Sequence, residues 1–245
     1  MKILFSPSES KSKISSGKKL CLEKLIFPHL YEKRLEILKS YDNFIGSAND
    51  DELCKLFGFK NLSGEDGLRK SIFKKGCAKA VLRYDGTAYQ NLGYLNLSEH
   101  ARNWIEENVL IFSNLFGILR TSDEIPEYKL KQGEKFNGLD LAKFYRQHFS
   151  ATIDEILNND DVIDLRAGFY EKFYDIKKPY TSFKFLKDGK AISHYAKAYR
   201  GKILNLAARN SVKTADELIA LNFENLRLVD IKKIELKNEL LFEIC

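Results

Sequence analysis

Apolar residues occur both in short continuous runs and at helical spacing, so the pattern predicts interleaved strands and helices. Runs bounded by turn residues predict strands at residues 2–6, 80–84, 109–112, 162–165, 226–232 and 239–244. Helical spacing predicts helices at residues 21–43 with a break near Pro28, then at 50–57, 68–76, 98–108, 139–157, 195–211 and 214–221. Asp188-Gly189, between residues 180–186 and 190–193, predicts a β-hairpin.

The order of these elements predicts an α/β fold (mixed α+β), in which a mixed β-sheet is flanked by helices. The chain has 245 residues and is 44% hydrophobic, which is enough to build a sizeable core. It contains no internal repeat and no linker rich in proline or glycine. We therefore expect a single domain that covers residues 1–245.

Several classes of protein are disfavoured by the sequence. The N-terminal residues lack the apolar segment of a signal peptide, and no apolar run reaches 18 residues, so no membrane partner is expected. The cysteines are far apart and the four histidines do not cluster, so neither a metal nor another cofactor is predicted. Reduced, dispersed cysteines favour a cytoplasmic location.

Positive charge is concentrated in one part of the chain. Between Arg166 and Arg209, eleven basic residues and three acidic ones give +8, although the whole chain carries only +6. Such a concentration attracts polyanions, although a solvated lysine-rich face would have the same composition.

The loop after the first predicted strand, residues 6–11, carries hydroxyls and a lysine that could hold a phosphate. Ser8 and Lys11 are the candidates here, and no glycine-rich Walker loop is present. A plain polar turn is the alternative interpretation.

Arg120 follows an apolar segment and could bind an anion, or it could form a structural pair with Asp123.

The second half of the chain supplies the remaining candidates. Asp164 and Arg166 lie at the carboxyl end of a predicted strand, where α/β folds place ligands. Lys197, Arg200 and Lys202 lie on the predicted helix 195–211, which could equally be an ordinary amphipathic surface helix. We expect Lys11, Arg120, Arg166, Lys197 and Arg200 to line one basic cleft.

Taken together, six segments resemble the bacterial YaaA family of peroxide stress resistance proteins. In chain order they are KILFSPSESK, LRYDGTAYQNL, LFGILRTSDEIPEYKLKQG, KFNGLDLAKFYR, VIDLRAGFY and YAKAYRGKI. The chain departs from the family pattern at Thr121, where proline is usual, and at Asn91, where glycine is usual. Residues 55–61 take the place of the family's helix–hairpin–helix-like stretch, with Gly58 kept and the following turn altered.

The resemblance implies a cytoplasmic protein that limits iron-linked oxidative damage and binds duplex DNA without sequence preference. The lysines and arginines would then contact the DNA backbone. The alternative is an enzyme that acts on a nucleotide or another phosphate-bearing small molecule in the basic cleft. The resemblance brings no established reaction with it. A redox or iron sensor is a third hypothesis, which the dispersed cysteines and histidines disfavour.

Overall fold

The structure is a computed structural model, which describes residues 1–192 and 195–245. The predicted strand 190–193 extends to Ser193, which lies outside the described residues. The helices are α1 (Tyr31–Ser47), α2 (Asp50–Phe57), α3 (Ala80–Arg83), α4 (Thr87–Leu92), α5 (Glu99–Asn108), α6 (Leu141–Leu157), α7 (Gly168–Glu171), α8 (Ala196–Arg209) and α9 (Ala215–Ile219). The strands are β1 (Lys2–Phe5), β2 (Cys77–Lys79), β3 (Val109–Ser113), β4 (Gly117–Arg120), β5 (Glu124–Pro126), β6 (Val162–Leu165), β7 (Tyr180–Lys187), β8 (Lys190–Ala191), β9 (Leu226–Ile234) and β10 (Lys237–Ile244).

The main sheet has eight strands, seven of them in the order β4-β3-β1-β6-β7-β10-β9, with β8 paired to β7. The five strands β3, β1, β6, β7 and β10 run parallel to one another. β4 and β9 are added antiparallel at the two edges, while β2 and β5 form a separate two-stranded sheet. The mixed α/β class predicted from the sequence is confirmed.

The chain changes direction across the sheet at β1. It first places β3 on one side of β1, then returns to place β6, β7 and β10 on the other side. Such a reversal leaves a crevice outside the carboxyl ends of the two strands that flank it, here β1 and β6. All four residues of β6 are buried, as are Ile3, Leu4 and Phe5 of β1, so the crevice rests on a rigid base.

Two predicted elements are wrong in type, and the predicted helix 21–43 is α-helical only from Tyr31 onward. Residues 80–83 form the short helix α3 rather than a strand, because the backbone amides of Ala80 and Val81 bond to the carbonyls of Asp123 and Thr121. Residues 68–76 contain 3₁₀ turns instead of an α-helix. In both segments, contacts with distant parts of the chain override the local apolar pattern.

The stretch that replaces the family's helix–hairpin–helix-like segment begins with the end of α2. Gly58 ends α2 in the left-handed conformation (φ 74°), and its amide bonds back to the carbonyl of Cys54. The chain then continues without regular structure to the 3₁₀ turn at Asp66–Arg69. Within this described segment, from Gly58 to Arg69, no second α-helix pairs with α2.

Helix α8 packs against α4 with almost no space between the two backbones. A Cβ atom on Gly201 would lie 2.0 Å from the carbonyl oxygen of Ala88, so only glycine fits this position. One turn further on, Asn205 Nδ2 donates to the carbonyl of Leu92 at 2.7 Å. These contacts hold α8 beside the end of β1.

Two glycine-to-alanine variants test this packing. Gly201→Ala should lower the free energy of unfolding by about 1–3 kcal/mol, because the new methyl group meets backbone. Gly46→Ala, in α1 with open space around it, should instead raise stability by about 0.5–1 kcal/mol. Urea unfolding of both variants measures the difference, and two changes of the same sign would contradict this account of Gly201.

Candidate functional site

A cavity of about 300 Å³ lies where β1 and β6 end. Its walls come from the loop after β1, the start of α4, the turn after β6 and one face of α8. The lining residues are Phe5, Ser6, Pro7, Ser8, Glu9, Ser10, Gly86, Thr87, Ala88, Tyr89, Gln132, Leu165, Ala167, Tyr170, Lys197 and Arg200. The cavity therefore occupies the crevice that the strand order creates.

Two hydrogen bonds that Ser6 accepts hold the floor of the cavity together. Its Oγ accepts from the amide of Ala167 at 2.7 Å, which joins the end of β1 to the turn after β6. Its carbonyl accepts from the hydroxyl of Tyr89 at 2.9 Å. Three structural elements are thus tied at one residue.

The hydroxyl-bearing wall depends on a close contact between Ser8 and Gly86. Ser8 Oγ donates to the carbonyl of Asp85 at 3.2 Å. A Cβ atom on Gly86 would lie 2.3 Å from the same Oγ, so a larger residue would push Ser8 aside. Ser10 and Thr87 add two further hydroxyls to the lining.

Two cations face these hydroxyls from α8. Lys197 and Arg200 are three residues apart, so they project from the same side of the helix. Lys197 is exposed and Arg200 is half-buried. Neither side chain forms an ion pair or a hydrogen bond with the described part of the chain. Burial lowers the pKa of the Arg200 guanidinium, against the opposing influence of Asp164 and Glu171.

The carboxylate among the lining residues is Glu9, whose Oε1 accepts from the amide of Gln132 at 2.9 Å. Tyr170 contributes an aromatic wall, and burial raises the pKa of its hydroxyl well above the usual range. The two cations exceed the one carboxylate, and several hydroxyls lie nearby. This combination suits an anion that carries several oxygen acceptors.

Asp164 and Arg166 form a buried pair outside the cavity lining. Arg166 donates from Nε to Asp164 Oδ1 at 2.9 Å and from Nη2 to Oδ2 at 2.8 Å. Its Nη1 donates to the carbonyls of Tyr170 and Tyr174. Because these contacts occupy the guanidinium, the pair shapes the turn that carries Ala167 and Tyr170.

Lys11 lies behind the loop that walls the cavity. Its Nζ donates to the carbonyls of Ser8 at 3.0 Å and Glu9 at 3.3 Å, and lies 4.0 Å from the centre of the Tyr128 ring. Burial, followed by the nearby charge of Lys129, lowers the pKa of Lys11 to about 7. Lys11 thus supports the loop, and its amine lies close to the balance between its two protonation states at neutral pH.

Arg120 and Lys202 lie away from the cavity. Arg120 is bound to Asp123 (Nε–Oδ1 3.0 Å) and to the carbonyl of Lys24, as expected for a structural pair. Lys202 lies over the Tyr199 ring and lines a second, separate cavity.

Of the five residues expected to line one cleft, Lys197 and Arg200 line the cavity, while Lys11, Arg120 and Arg166 do not. Ser8 joins them there, and the anion-binding role of all these residues stays a prediction.

The structure also places residues in the cavity that sequence reasoning missed. Thr87 and Tyr89 belong to α4, which was not predicted because its six residues follow directly on a turn. Gln132 arrives from the segment after β5. The close spacing of Gly86, Thr87 and Tyr89 in the sequence was the available signal for this part of the cavity. It could not be interpreted without knowing that these residues lie beside the end of β1.

Within residues 1–192 and 195–245, no group of three or more histidine, cysteine, aspartate or glutamate side chains could hold a metal ion. The four cysteines are free, and Cys77 is buried. No helix in these same ranges is long and apolar enough to cross a bilayer.

Comparison with known proteins assigns the chain to a family. Residues 1–231 match the family described as peroxide stress protein YaaA. The chain belongs to this YaaA family. General resistance to peroxide stress is the role that membership supports. The matched residues include every residue that lines the cavity.

Individual relatives extend over most of the chain. An uncharacterized protein of Campylobacter jejuni is 45% identical over 244 residues, which cover all of this chain and 99% of that protein. A UPF0246 protein of Corynebacterium efficiens is 30% identical over 216 residues, which are 85% of each chain. A UPF0246 protein of Fusobacterium nucleatum is 28% identical over 239 residues, 91% of this chain and 92% of that one.

The lowered pKa of Lys11 predicts a pH-dependent stability. Between about pH 7 and its ordinary value of 10.5, the unfolded chain binds a proton at Lys11 and the folded chain does not. The free energy of unfolding of the native protein should therefore rise with pH relative to Lys11→Met, by up to about 1.4 kcal/mol per pH unit.

Urea unfolding of both proteins at several pH values between 6 and 10 measures this difference. Below about pH 7 the two curves should run parallel, because Lys11 is then protonated in both states. A difference that stays constant across the whole range would contradict the lowered pKa.

Proposed function

We propose that this member of the YaaA family contributes to peroxide resistance by binding a phosphate-bearing small molecule in the cavity between β1 and β6. The observation that carries the proposal is the convergence of Lys197, Arg200 and the Ser8 hydroxyl at the point where the strand order reverses. Open parallel sheets bind their ligands at this point. A volume of about 300 Å³ is at the lower end of small-molecule sites.

The chemistry of the lining supports a phosphate more than a carboxylate or a neutral ligand. Arg200 can donate two parallel hydrogen bonds to phosphate oxygens, and Lys197 supplies a point charge beside it. Neither cation is neutralised by a hydrogen-bonded carboxylate among the described residues. Tyr89 and Tyr170 also line the cavity, and their rings offer an aromatic surface to a flat group such as a nucleobase. A nucleotide is the ligand that combines both features.

Duplex DNA is the second candidate, and one observation favours it. An open groove borders the cavity, shares Lys197 and Arg200 with it, and adds Lys184. Cations that line an open groove suit a phosphate backbone, which proteins bind without reading the bases. In this function the protein would limit iron-dependent oxidative damage while bound to the DNA.

Charge reversal separates the two candidates. Lys197→Glu combined with Arg200→Glu should weaken ATP binding by at least about tenfold, because each lost charged hydrogen bond contributes about 1.5–3 kcal/mol. A matched control is Lys39→Glu with Lys143→Glu, which makes the same charge change on exposed positions of α1 and α6. Calorimetric titration with ATP and with a short duplex, each at two salt concentrations, measures both ligands.

The pattern of the results decides between the functions. If the cavity binds a nucleotide, the double variant loses ATP while its weak duplex affinity matches that of the control. If DNA is the ligand, duplex affinity falls for unrelated sequences alike, and the slope of log K against log salt decreases by about one unit per lost contact. Unchanged binding of both ligands would contradict the assignment of Lys197 and Arg200. A peroxide survival assay with the same variants then connects binding to stress resistance.

A further inference from the structure

The edge strand β9 has no partner on its outer side. It pairs with β10 alone, at the end of the main sheet, and eight of its nine residues are exposed. Such a strand presents unpaired backbone groups that can bind another strand. Natural edges are protected by being short or covered, or by charges and bulges. β9 is neither short nor covered, although it carries charged residues and one irregularity at Val229.

Exposed apolar side chains are concentrated on the same ribbon. Eight large hydrophobic residues are exposed within the described parts of the chain. Five of these belong to β9 or to the turn that follows it, namely Leu228, Val229, Ile231, Ile234 and Leu236. Clustering of this kind marks an interaction surface, whereas single exposed apolar residues do not.

The backbone at the centre of β9 shows what a partner strand would replace. The amide of Ile231 donates to the side chain of Asp230, its neighbour in the chain, at 2.8 Å. A side-chain acceptor of this kind takes the place that a backbone carbonyl fills between paired strands. A second strand alongside β9 would supply that carbonyl and release the carboxylate of Asp230.

We propose that β9 pairs antiparallel with β9 of a second copy of this chain, so that the sheet continues across a two-fold axis. In a continuous antiparallel pair, directly opposed side chains lie on the same face of the sheet. Side chains alternate between the two faces of the sheet along each strand. A two-fold axis between the strands must therefore pass beside one residue, which then lies opposite the same residue of the second copy. The register is therefore chosen from a few discrete alternatives.

Charge complementarity selects one of these registers. With the axis at Ile231, two isoleucines oppose each other, and Asp230 of each copy faces Lys232 of the other. An axis at Asp230 would oppose two carboxylates, and an axis at Lys232 or Lys233 would oppose two ammonium groups. Like charges directly opposite are destabilising, whereas opposite charges stabilise a cross-strand pair. The pairing of β9 with β10 is irregular at Val229, which lies outside the central residues 230–232 of this register.

The contact is small, so the dimer should be weak and dependent on concentration. The contact is made by β9, which lies at the edge of the main sheet opposite to β4. None of the residues of β9 lines the cavity. The inference therefore stands independently of the proposed ligand.

Sedimentation velocity over roughly a hundredfold range of protein concentration tests the proposal. The native protein should shift from monomer to dimer as its concentration rises, whereas the variants Asp230→Lys and Lys232→Asp should each remain monomeric. The double variant Asp230→Lys with Lys232→Asp should dimerise again, because the opposite charges still face each other. Mixing the two single variants should likewise restore two-copy particles.

Lys190→Asp on β8 is the matched control and should dimerise as the native protein does, because it makes the same charge change away from β9. Circular dichroism checks that each variant is folded. A native protein that stays a single copy at every concentration would overturn the proposal. So would a dimer that the two single variants leave intact, because another surface would then hold it.

Discussion

Strand β1 is hydrogen-bonded on both sides, to β3 and to β6, and the whole arrangement is organised around it. Its apolar residues Ile3, Leu4 and Phe5 are almost completely buried, so the strand cannot move without opening the core. The chain turns away from the sheet directly after Phe5, and Ser6 ties the departing loop to Ala167. The cavity exists because two parallel strands end here with their following segments diverging.

Buried arginines hold the segments that surround this centre. Arg34 donates to the carbonyls of Phe27, Phe116 and Ile118. Arg83 similarly donates to three carbonyl oxygens from separate segments, one of them in β5, and Arg166 is held by Asp164. A buried guanidinium must have its donors satisfied, and in this protein backbone carbonyls from separate segments of the chain accept those hydrogen bonds. The basic character of the sequence is thus partly structural.

The difference between structural and unpaired cations explains which of the predicted site residues line the cavity. Lys197 and Arg200 could be placed together from the sequence because three-residue spacing on a helix puts them on one side. Ser8 could be placed at a strand end for a similar local reason. Arg166, Arg120 and Lys11 are also basic, but carboxylates or backbone carbonyls of the fold occupy their donors. Residue type and spacing do not distinguish a cation that binds a ligand from one that binds a carbonyl.

The sequence by itself determined the mixed α/β class, the buried strands β1, β3 and β6, the hairpin at Asp188-Gly189 and the long helices α6 and α8. Each of these depends on periodicity or turn chemistry within a short stretch, which local forces are sufficient to set. Only the tertiary structure decided that residues 80–83 are helical, that α4 contacts α8 through Gly201, and that the strand order reverses at β1. These features depend on contacts between segments far apart in the chain, whose free energies outweigh local preferences and leave no periodic signal in the sequence.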